Sequence, residues 1–233
     1  MMNQKERELF VRAIQRRAQE AHRQLAGSAC IGQYIDTSLP LPMPFVGKGE
    51  IRLVIVGQDP TIQNAAMRTK IKTVLNLDKP NSLRRFIERL CSDLGLHLDE
   101  HVYATNAAKG FFTQPPTAIK KNDRLDVLAE SRAAWGPVLR EELQRFPAAA
   151  VISLGEPVLV MLSNNNAPKM RSFWGYDKDW QNGTFAQPTK LSAAQSTIGR
   201  DIFPFVHQPS MRKAFYKQRW DEYIRFIRRE ARL

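Results

Sequence analysis

The sequence has 233 residues, 43% of them hydrophobic, and two distant cysteines, Cys30 and Cys91; this composition is typical of a packed domain and argues against disorder, a disulfide framework or a cysteine-ligated metal. No apolar run approaches the roughly 20 residues of a membrane span, and the charged N-terminus lacks the apolar region of a secretory signal, so we expect an intracellular protein that does not enter a membrane. With 35 Lys and Arg against 23 Asp and Glu the net charge is +12, which favours a polyanionic partner, although a merely soluble basic surface would have the same charge.

Hydrophobic spacing predicts helices and strands that alternate along most of the chain. The predicted elements, in chain order, are a helix at 4–25, a proline-rich connection at 38–50, a strand at 51–56, a helix at 81–96, a strand at 102–105, a helix at about 122–145, a strand at 148–155, a helix at about 156–163, a long loop at 164–199, a strand at 201–207 and a C-terminal helix that starts at 211. Such alternation indicates βαβ units. We therefore predict an α/β fold, a three-layer sandwich with a central four-stranded parallel sheet flanked by helices. It forms a single domain over 1–233, with an N-terminal helical extension over about 1–50.

Four polar clusters follow the predicted strands. They are Gln58 with Asp59, Asn106, the turn at Gly155, and His207. Ligands of open parallel sheets bind beyond the carboxyl ends of the strands, so we expect these clusters to meet at one pocket. Two nucleotide-binding patterns are excluded, because no GxGxxG follows a strand and VGKGE precedes the first strand instead of following it.

The side chains at these strand ends suit the reading and breaking of a nucleobase. Amides both donate and accept hydrogen bonds, as the edge of a pyrimidine requires. An imidazole can hold the negative charge that grows on a departing base. A carboxylate such as Asp59, on a turn made rigid by Pro60, can orient water and stabilise a sugar cation.

Five segments resemble motifs of the uracil-DNA glycosylase superfamily, and they occur in the family's order over about residues 51 to 220. The similar segments are VIVGQDP, like the water-activating motif; NSLRRFIERLCSDLGL, like the serine loop and its helix; YATNAAKGF, like the strand that ends in the base-reading asparagine; VISLGEPV, like the glycine-serine loop region; and HQPSMRKAF, like the histidine and DNA-inserting loop. The family's fold is a four-stranded parallel sheet between helices, which agrees with the prediction above.

The resemblance implies a catalytic role for two of these residues and a base-binding role for two others. Asp59 would position the attacking water or stabilise the sugar cation, and His207 would stabilise the oxygen anion of the leaving base. Gln58 would contact the base through its backbone, and Asn106 would hydrogen-bond the pyrimidine edge.

The resemblance also implies a set of DNA contacts. Ser82 and the backbone after Gly155 would clamp phosphates. Met211, between Ser210 and Arg212, occupies the place of the side chain that fills the hole left by a flipped nucleotide.

The chain departs from the family's pattern at three places. Thr61 stands where the best-known members have a tyrosine that abuts carbon 5 of the base, so we count Thr61 as a base-binding residue and expect room for a substituent there. The base-stacking phenylalanine should fall near Val74–Leu75, neither of which is aromatic, and one of Phe111–Phe112 could replace it. Gln208 interrupts the usual His-Pro-Ser order.

Each of these residues also has a structural interpretation. Asp59 could cap a turn, because Asp-Pro is a common turn former. Asn106 and His207 could satisfy polar groups at strand ends, and Met211 could pack into a core. The ordered set of motifs favours catalysis over these separate explanations.

The sequence therefore predicts a monofunctional DNA glycosylase that flips a pyrimidine nucleotide and hydrolyses its N-glycosidic bond without a metal or other cofactor. The base is uracil or, given Thr61, a bulky 5-modified pyrimidine of viral DNA, with a role in repair or in defence against phage. The alternative is a catalytically inactive DNA-binding module of the same fold. In either case we expect DNA as partner, a monomer, and a nucleoid-associated cytoplasmic or other intracellular DNA compartment.

Overall fold

The structure is a computed structural model. It describes residues 2–164, 170–176, 186–208 and 214–233, without the side chains of 214–215. No helix within these ranges is both long and apolar enough to cross a bilayer.

The centre of the molecule is a mixed β-sheet. The strands are β1 (Ile35–Asp36), β2 (Phe45–Val46), β3 (Leu53–Gly57), β4 (Val102–Asn106), β5 (Phe111–Phe112), β6 (Ala150–Leu154) and β7 (Phe203–Phe205). The main sheet has the order β2-β4-β3-β6-β7, in which β4, β3, β6 and β7 are parallel and the edge strand β2 is antiparallel. The predicted four-stranded parallel sheet is confirmed. The sequence did not predict β2 or the separate antiparallel ribbon of β1 and β5.

The helices lie on both faces of this sheet. They are α1 (Gln4–Ala26), α2 (Ala65–Arg68), α3 (Ser82–Asp93), α4 (Leu98–His101), α5 (Pro116–Asp123), α6 (Val127–Gln144), α7 (Glu156–Leu162), α8 (Ala214–Gln218) and α9 (Trp220–Ala231), with short 3-10 helices at Gly32–Tyr34, Val74–Asn76, Met170–Trp174 and Ala193–Gln195. Tyr103 of β4 faces α1 and α6, where it contacts Phe10 and Glu142. Phe205 of β7 faces α3 and α9, where it contacts Phe86 and Trp220. These opposite contacts define the three predicted layers.

Two segments differ from the sequence-based prediction in a way that local geometry explains. The helix predicted over about 122–145 is two helices, because Arg124 adopts a left-handed φ of 56° and Asp126 then caps α6 through Ala129 N–H. Within the predicted loop 164–199, the described residues include the 3-10 helices Met170–Trp174 and Ala193–Gln195. The predicted start of the last helix, at 211, lies outside the described residues.

Helix α1 belongs to the same core as the sheet. Its buried face includes Ile14, Ala18 and Leu25, and the helix packs along α6. The capping box of Asn3 and Glu6 fixes its first turn.

Strand register brings the predicted polar clusters to one edge of the sheet. Gly57 pairs with Asn106, so the segments after β3 and β4 start side by side. Leu154 pairs with Phe205, which places Gly155 close to the segment that carries His207. These ends are aligned because neighbouring parallel strands end at paired residues.

Candidate active site at the carboxyl edge of the sheet

A cavity of about 700 Å³ lies at the carboxyl ends of β3, β6 and β7. It is lined by six of the ten residues that the sequence predicted for the site, namely Gln58, Asp59, Thr61, Ser82, Gly155 and His207. Asn106 is not among its lining residues, and Ser210, Met211 and Arg212 lie outside the described residues. The volume is in the range of pockets that enclose a small organic ligand.

The Asp59 carboxylate is held by two hydrogen bonds from its own turn. Thr61 N–H donates to Oδ1 at 2.7 Å, and Gln58 Nε2 donates to Oδ2 at 2.8 Å. Burial raises the pKa of Asp59, and the hydrogen bonds from Thr61 and Gln58 and the charge of Arg68 reduce that rise. The result is a fixed carboxylate at the wall of a cavity, with more basicity than an exposed aspartate.

The loop that carries Asp59 is attached to the β1–β5 ribbon. Thr61 Oγ1 accepts a hydrogen bond from Phe112 N–H at 2.8 Å, so this side chain has a structural contact that the sequence did not reveal. Arg68, in α2, is buried and donates to the main-chain carbonyls of Ile62, Phe112 and Thr113. Sequence reasoning missed Arg68, because a basic residue in a polar loop gives no signal of burial.

Asn106 lies beneath the cavity wall. Its side chain is buried, and Oδ1 has no hydrogen-bond partner among the described residues. A Cβ at Gly57 would come within 2.5 Å of that oxygen and 2.8 Å of Leu75 Cδ2, so the glycine before Gln58 is required by close packing. An acceptor left unpaired in a buried position is costly unless a ligand supplies the donor. The role of Asn106 toward a base stays a prediction.

Leu75 lines the cavity at the place where the family resemblance expects a stacking aromatic ring. Leu75 and Asn76 both have a left-handed backbone, with φ of 55° and 54°. Such a conformation costs a leucine about 1–3 kcal/mol, and strain of this kind clusters at functional sites. Val74 is in the core instead, at 3% exposure.

Aromatic side chains reach the cavity from the predicted loop 164–199 and from α8, which lies in the predicted C-terminal helix. Trp174, Tyr176 and Tyr216 line its wall, and the rings of Tyr176 and Tyr216 pack edge to face at 6.1 Å. Phe111–Phe112, the predicted substitutes, are buried at 1% exposure and do not line the cavity. The cluster FWGY at 173–176, in an otherwise polar segment, was the available signal.

Gly155 and His207, which follow β6 and β7, also line the cavity. Gly155 has φ +89°, which favours glycine, and its N–H donates to Phe205 O at 2.8 Å. A Cβ at Gly155 would lie 3.4 Å from His207 Cβ. His207 is accessible to solvent. Partial burial of its imidazole still lowers the pKa of His207, which favours the neutral ring. A neutral imidazole can donate a hydrogen bond to a developing oxyanion.

Ser82 is the exposed first residue of α3 at the rim of the cavity. Asn81 caps the helix by accepting from Arg84 N–H at 2.8 Å, and its Nδ2 donates to Asn76 O at 2.7 Å. The cap therefore connects the start of α3 with the strained segment at Leu75. A helix N-terminus with an exposed hydroxyl suits the predicted phosphate contact.

Three charged side chains complete the lining of the cavity. Lys70 and Arg171 are exposed cations, and Arg171 Nε lies 3.4 Å from Glu156 Oε2. Among the described residues, no group of three or more His, Cys, Asp or Glu side chains is arranged to hold a metal ion.

Comparison with known proteins adds no family to this description. No protein-family model matches the chain, and no curated protein matches it significantly.

Proposed function

We propose that the protein is a monofunctional DNA glycosylase that acts on a flipped pyrimidine nucleotide. The observation that carries this proposal is the Asp59 carboxylate, fixed by Gln58 and Thr61 in a cavity that His207 also lines. An anionic group and a hydrogen-bond donor around one cavity match the two charges that separate when a glycosidic bond breaks.

In the proposed reaction, the bond between the sugar C1′ and the base nitrogen breaks, and its electron pair leaves with the base. The Asp59 carboxylate stabilises the positive charge on the sugar and orients a water molecule toward C1′. The water oxygen bonds to C1′, and one water proton passes through Asp59 to the medium or the base. His207, in its neutral form, donates a hydrogen bond to the anionic oxygen of the leaving base. The products are an abasic site and the free base.

We propose that the substrate base is uracil or a pyrimidine with a bulky substituent on carbon 5. The threonine at position 61 is shorter than an aromatic residue, and the cavity of about 700 Å³ has room for more than a pyrimidine ring. Such a pocket would select its base through favourable contacts with the substituent. In this proposal Trp174 and Tyr176, which both line the cavity, make these contacts.

DNA is the proposed macromolecular partner, and the net charge of +12 supports it. In this proposal the exposed Ser82 and Lys70, which line the cavity, contact the phosphates of a flipped nucleotide. We further propose that the protein acts as a monomer in an intracellular DNA compartment, in repair or in defence against phage.

A second candidate is a catalytically inactive DNA-binding module. The position of Asn106 favours it, because the amide that would read a base lies behind Gly57 and next to Leu75 rather than in the cavity lining.

An excision assay, combined with a DNA-binding measurement on the same substrates, separates these functions. Duplexes and single strands that carry uracil, a thymine mismatch, hydroxymethylpyrimidine or glucosylated pyrimidine are incubated with the protein, and abasic sites are revealed by alkaline cleavage. The glycosylase proposal expects strand cleavage with at least one modified base and none with Asp59→Asn. Tight DNA binding without an abasic site on any substrate would favour the inactive module.

A further inference from the structure

Arg68 is a buried cation whose partners are main-chain carbonyls. Its side chain is at 5% exposure, with Nε donating to Ile62 O at 2.8 Å and Nη1 donating to Phe112 O at 3.1 Å and Thr113 O at 3.0 Å. Burial of a charge is costly, and neutral carbonyls compensate only part of that cost. A buried guanidinium in this position therefore calls for a role beyond packing.

The contacts of Arg68 and Thr61 meet on one residue of the β1–β5 ribbon. Phe112 N–H donates to Thr61 Oγ1 at 2.8 Å, while Phe112 O accepts from Arg68. Phe112 in turn pairs with Ile35 of β1. The loop from Asp59 to Arg68 is thus attached at both ends to the same strand, and Asp59 lies at one of those ends.

The Arg68 charge acts on Asp59 without occupying its carboxylate. Both carboxylate oxygens already accept hydrogen bonds, from Thr61 N–H and from Gln58 Nε2. The guanidinium is bound elsewhere, yet its charge opposes the rise that burial causes in the pKa of Asp59. A cation in direct contact would compete with water and substrate for the same oxygens, and a fixed cation at a distance does not.

We propose that Arg68 is a positioning residue for Asp59: it fastens the loop 59–68 to the β1–β5 ribbon at Phe112, and the fixed charge of this buried guanidinium acts on the Asp59 carboxylate. The catalytic consequence rests on the proposed glycosylase function. The coupling between the two side chains does not, and it can be measured on its own.

Other charged or titratable side chains of the cavity also contribute to the electrostatic environment of Asp59. Lys70, Glu156, Arg171 and His207 also line the cavity. Arg68 differs from them because it is buried and bound on the loop of Asp59 itself.

The direct test titrates the Asp59 carboxyl carbon by NMR in protein labelled at aspartate, with Asp59→Asn to assign the signal. Arg68→Met removes the charge and is expected to raise the pKa of Asp59 further, as loss of a nearby opposite charge does. Arg68→Lys keeps the charge and is expected to shift it by less than half as much. An unchanged Asp59 titration in Arg68→Met would overturn the proposal.

A matched control removes a similar guanidinium far from the site. Arg200 donates to Leu143 O at 3.2 Å, to Phe146 O at 3.0 Å and to Ala149 O, near the start of β6 at the other end of the sheet. Arg200→Met should lower stability and leave the Asp59 titration unchanged. If Arg68→Met fails to fold, the comparison of Arg68→Lys with Arg68→Gln, which has a neutral donor, gives the same contrast of charge.

The kinetic test measures single-turnover excision against pH on the modified duplex that the wild type cleaves. Arg68→Met is expected to move the acid limb of the profile to higher pH by the amount seen in the NMR titration, with rescue by Arg68→Lys. An equal loss of rate at every pH in both variants would mean that Arg68 only holds the loop, and it would overturn the electrostatic role. A shifted titration in a protein that excises no base would leave the coupling established and would refute the proposed glycosylase function instead.

Discussion

At the scale of the residue, the burial of Asp59 has a stability cost beside the chemical role proposed for its carboxylate. Desolvation raises its pKa in the folded protein, so the folded state binds the proton more tightly than the unfolded chain does. Folding stability that depends on this proton is present at low pH and is lost as the pH rises through the raised pKa. At neutral pH the ionised carboxylate therefore destabilises the fold.

We predict that Asp59→Asn abolishes base excision and raises the melting temperature at pH 7, because the neutral amide removes a charge that burial disfavours. DNA affinity should stay within a few-fold of the wild type, because the carboxylate acts only as charge develops. Calorimetry as a function of pH checks the sign: the difference from the wild type should shrink as the pH falls toward the ordinary range of an aspartate. Near-normal turnover would show that Asp59 is structural.

Thr61 has two separable roles, since its size shapes the cavity and its hydroxyl binds Phe112 N–H. We predict that Thr61→Tyr reduces excision of 5-substituted pyrimidines far more than excision of uracil, because an aromatic ring would fill the space next to carbon 5. Single-turnover rates on both substrates measure this ratio. Equal losses on the two would mean that position 61 does not face carbon 5.

The Thr61→Val variant separates the effect of the Thr61 hydroxyl from the effect of the side chain's size. Valine has the shape of threonine and leaves Phe112 N–H without its acceptor, which should cost about 1–3 kcal/mol of unfolding free energy. Thr61→Ser keeps the hydroxyl and should lose less. Urea unfolding of the two variants would contradict the contact if both lost the same amount.

At the scale of the element, the end of β4 is fixed by a buried polar network on both sides of Asn106. Lys109 Nζ and Tyr103 OH both donate to the Glu142 carboxylate of α6, the latter at 2.7 Å, and Thr105 Oγ1 donates to it at 2.9 Å. Lys109 also donates to Thr105 Oγ1 at 2.6 Å. Residues on both sides of Asn106 are therefore tied to one helix, which orients the strand end.

We predict that Glu142→Gln lowers the free energy of unfolding by about 3–5 kcal/mol, because it leaves the buried Lys109 charge without its counter-ion. The matched control is Glu141→Gln, which removes an exposed ion pair with Arg17 and should change the free energy by less than about 1 kcal/mol. Chemical denaturation of the two variants makes the comparison. Similar small losses in both would mean that the buried network contributes little.

At the scale of the whole molecule, the excess of positive charge governs any encounter with a polyanion. The chain carries a net charge of +12, and phosphates neutralised by Lys and Arg release condensed counterions. We predict that DNA affinity falls about 10³-fold or more between 50 and 200 mM salt, as for a protein with six or more phosphate contacts. Fluorescence anisotropy on one duplex at increasing salt gives the slope. An affinity that does not change with salt would point to a ligand other than nucleic acid.

The sequence by itself determined the layers and the edge at which the cavity lies. Hydrophobic runs ending in glycine at β3 and β6 mark buried parallel strands, and the parallel arrangement then places Gly57 and Gly155 at one edge. Local patterns are sufficient for this, because a strand's burial and direction depend on residues within its own run and on the helix that follows.

Only the tertiary structure decided which side chains reach the cavity. Leu75 lines the cavity on a left-handed backbone, and Asn106 packs against Gly57 outside the lining. Trp174 lines the cavity from a segment whose sequence has no periodic pattern. The attachment of Arg68 and Thr61 to Phe112 joins residues more than 40 positions apart. Contacts of that kind depend on how the loops pack on the completed sheet. Neither the spacing of hydrophobic residues nor the composition of the chain predicts that packing.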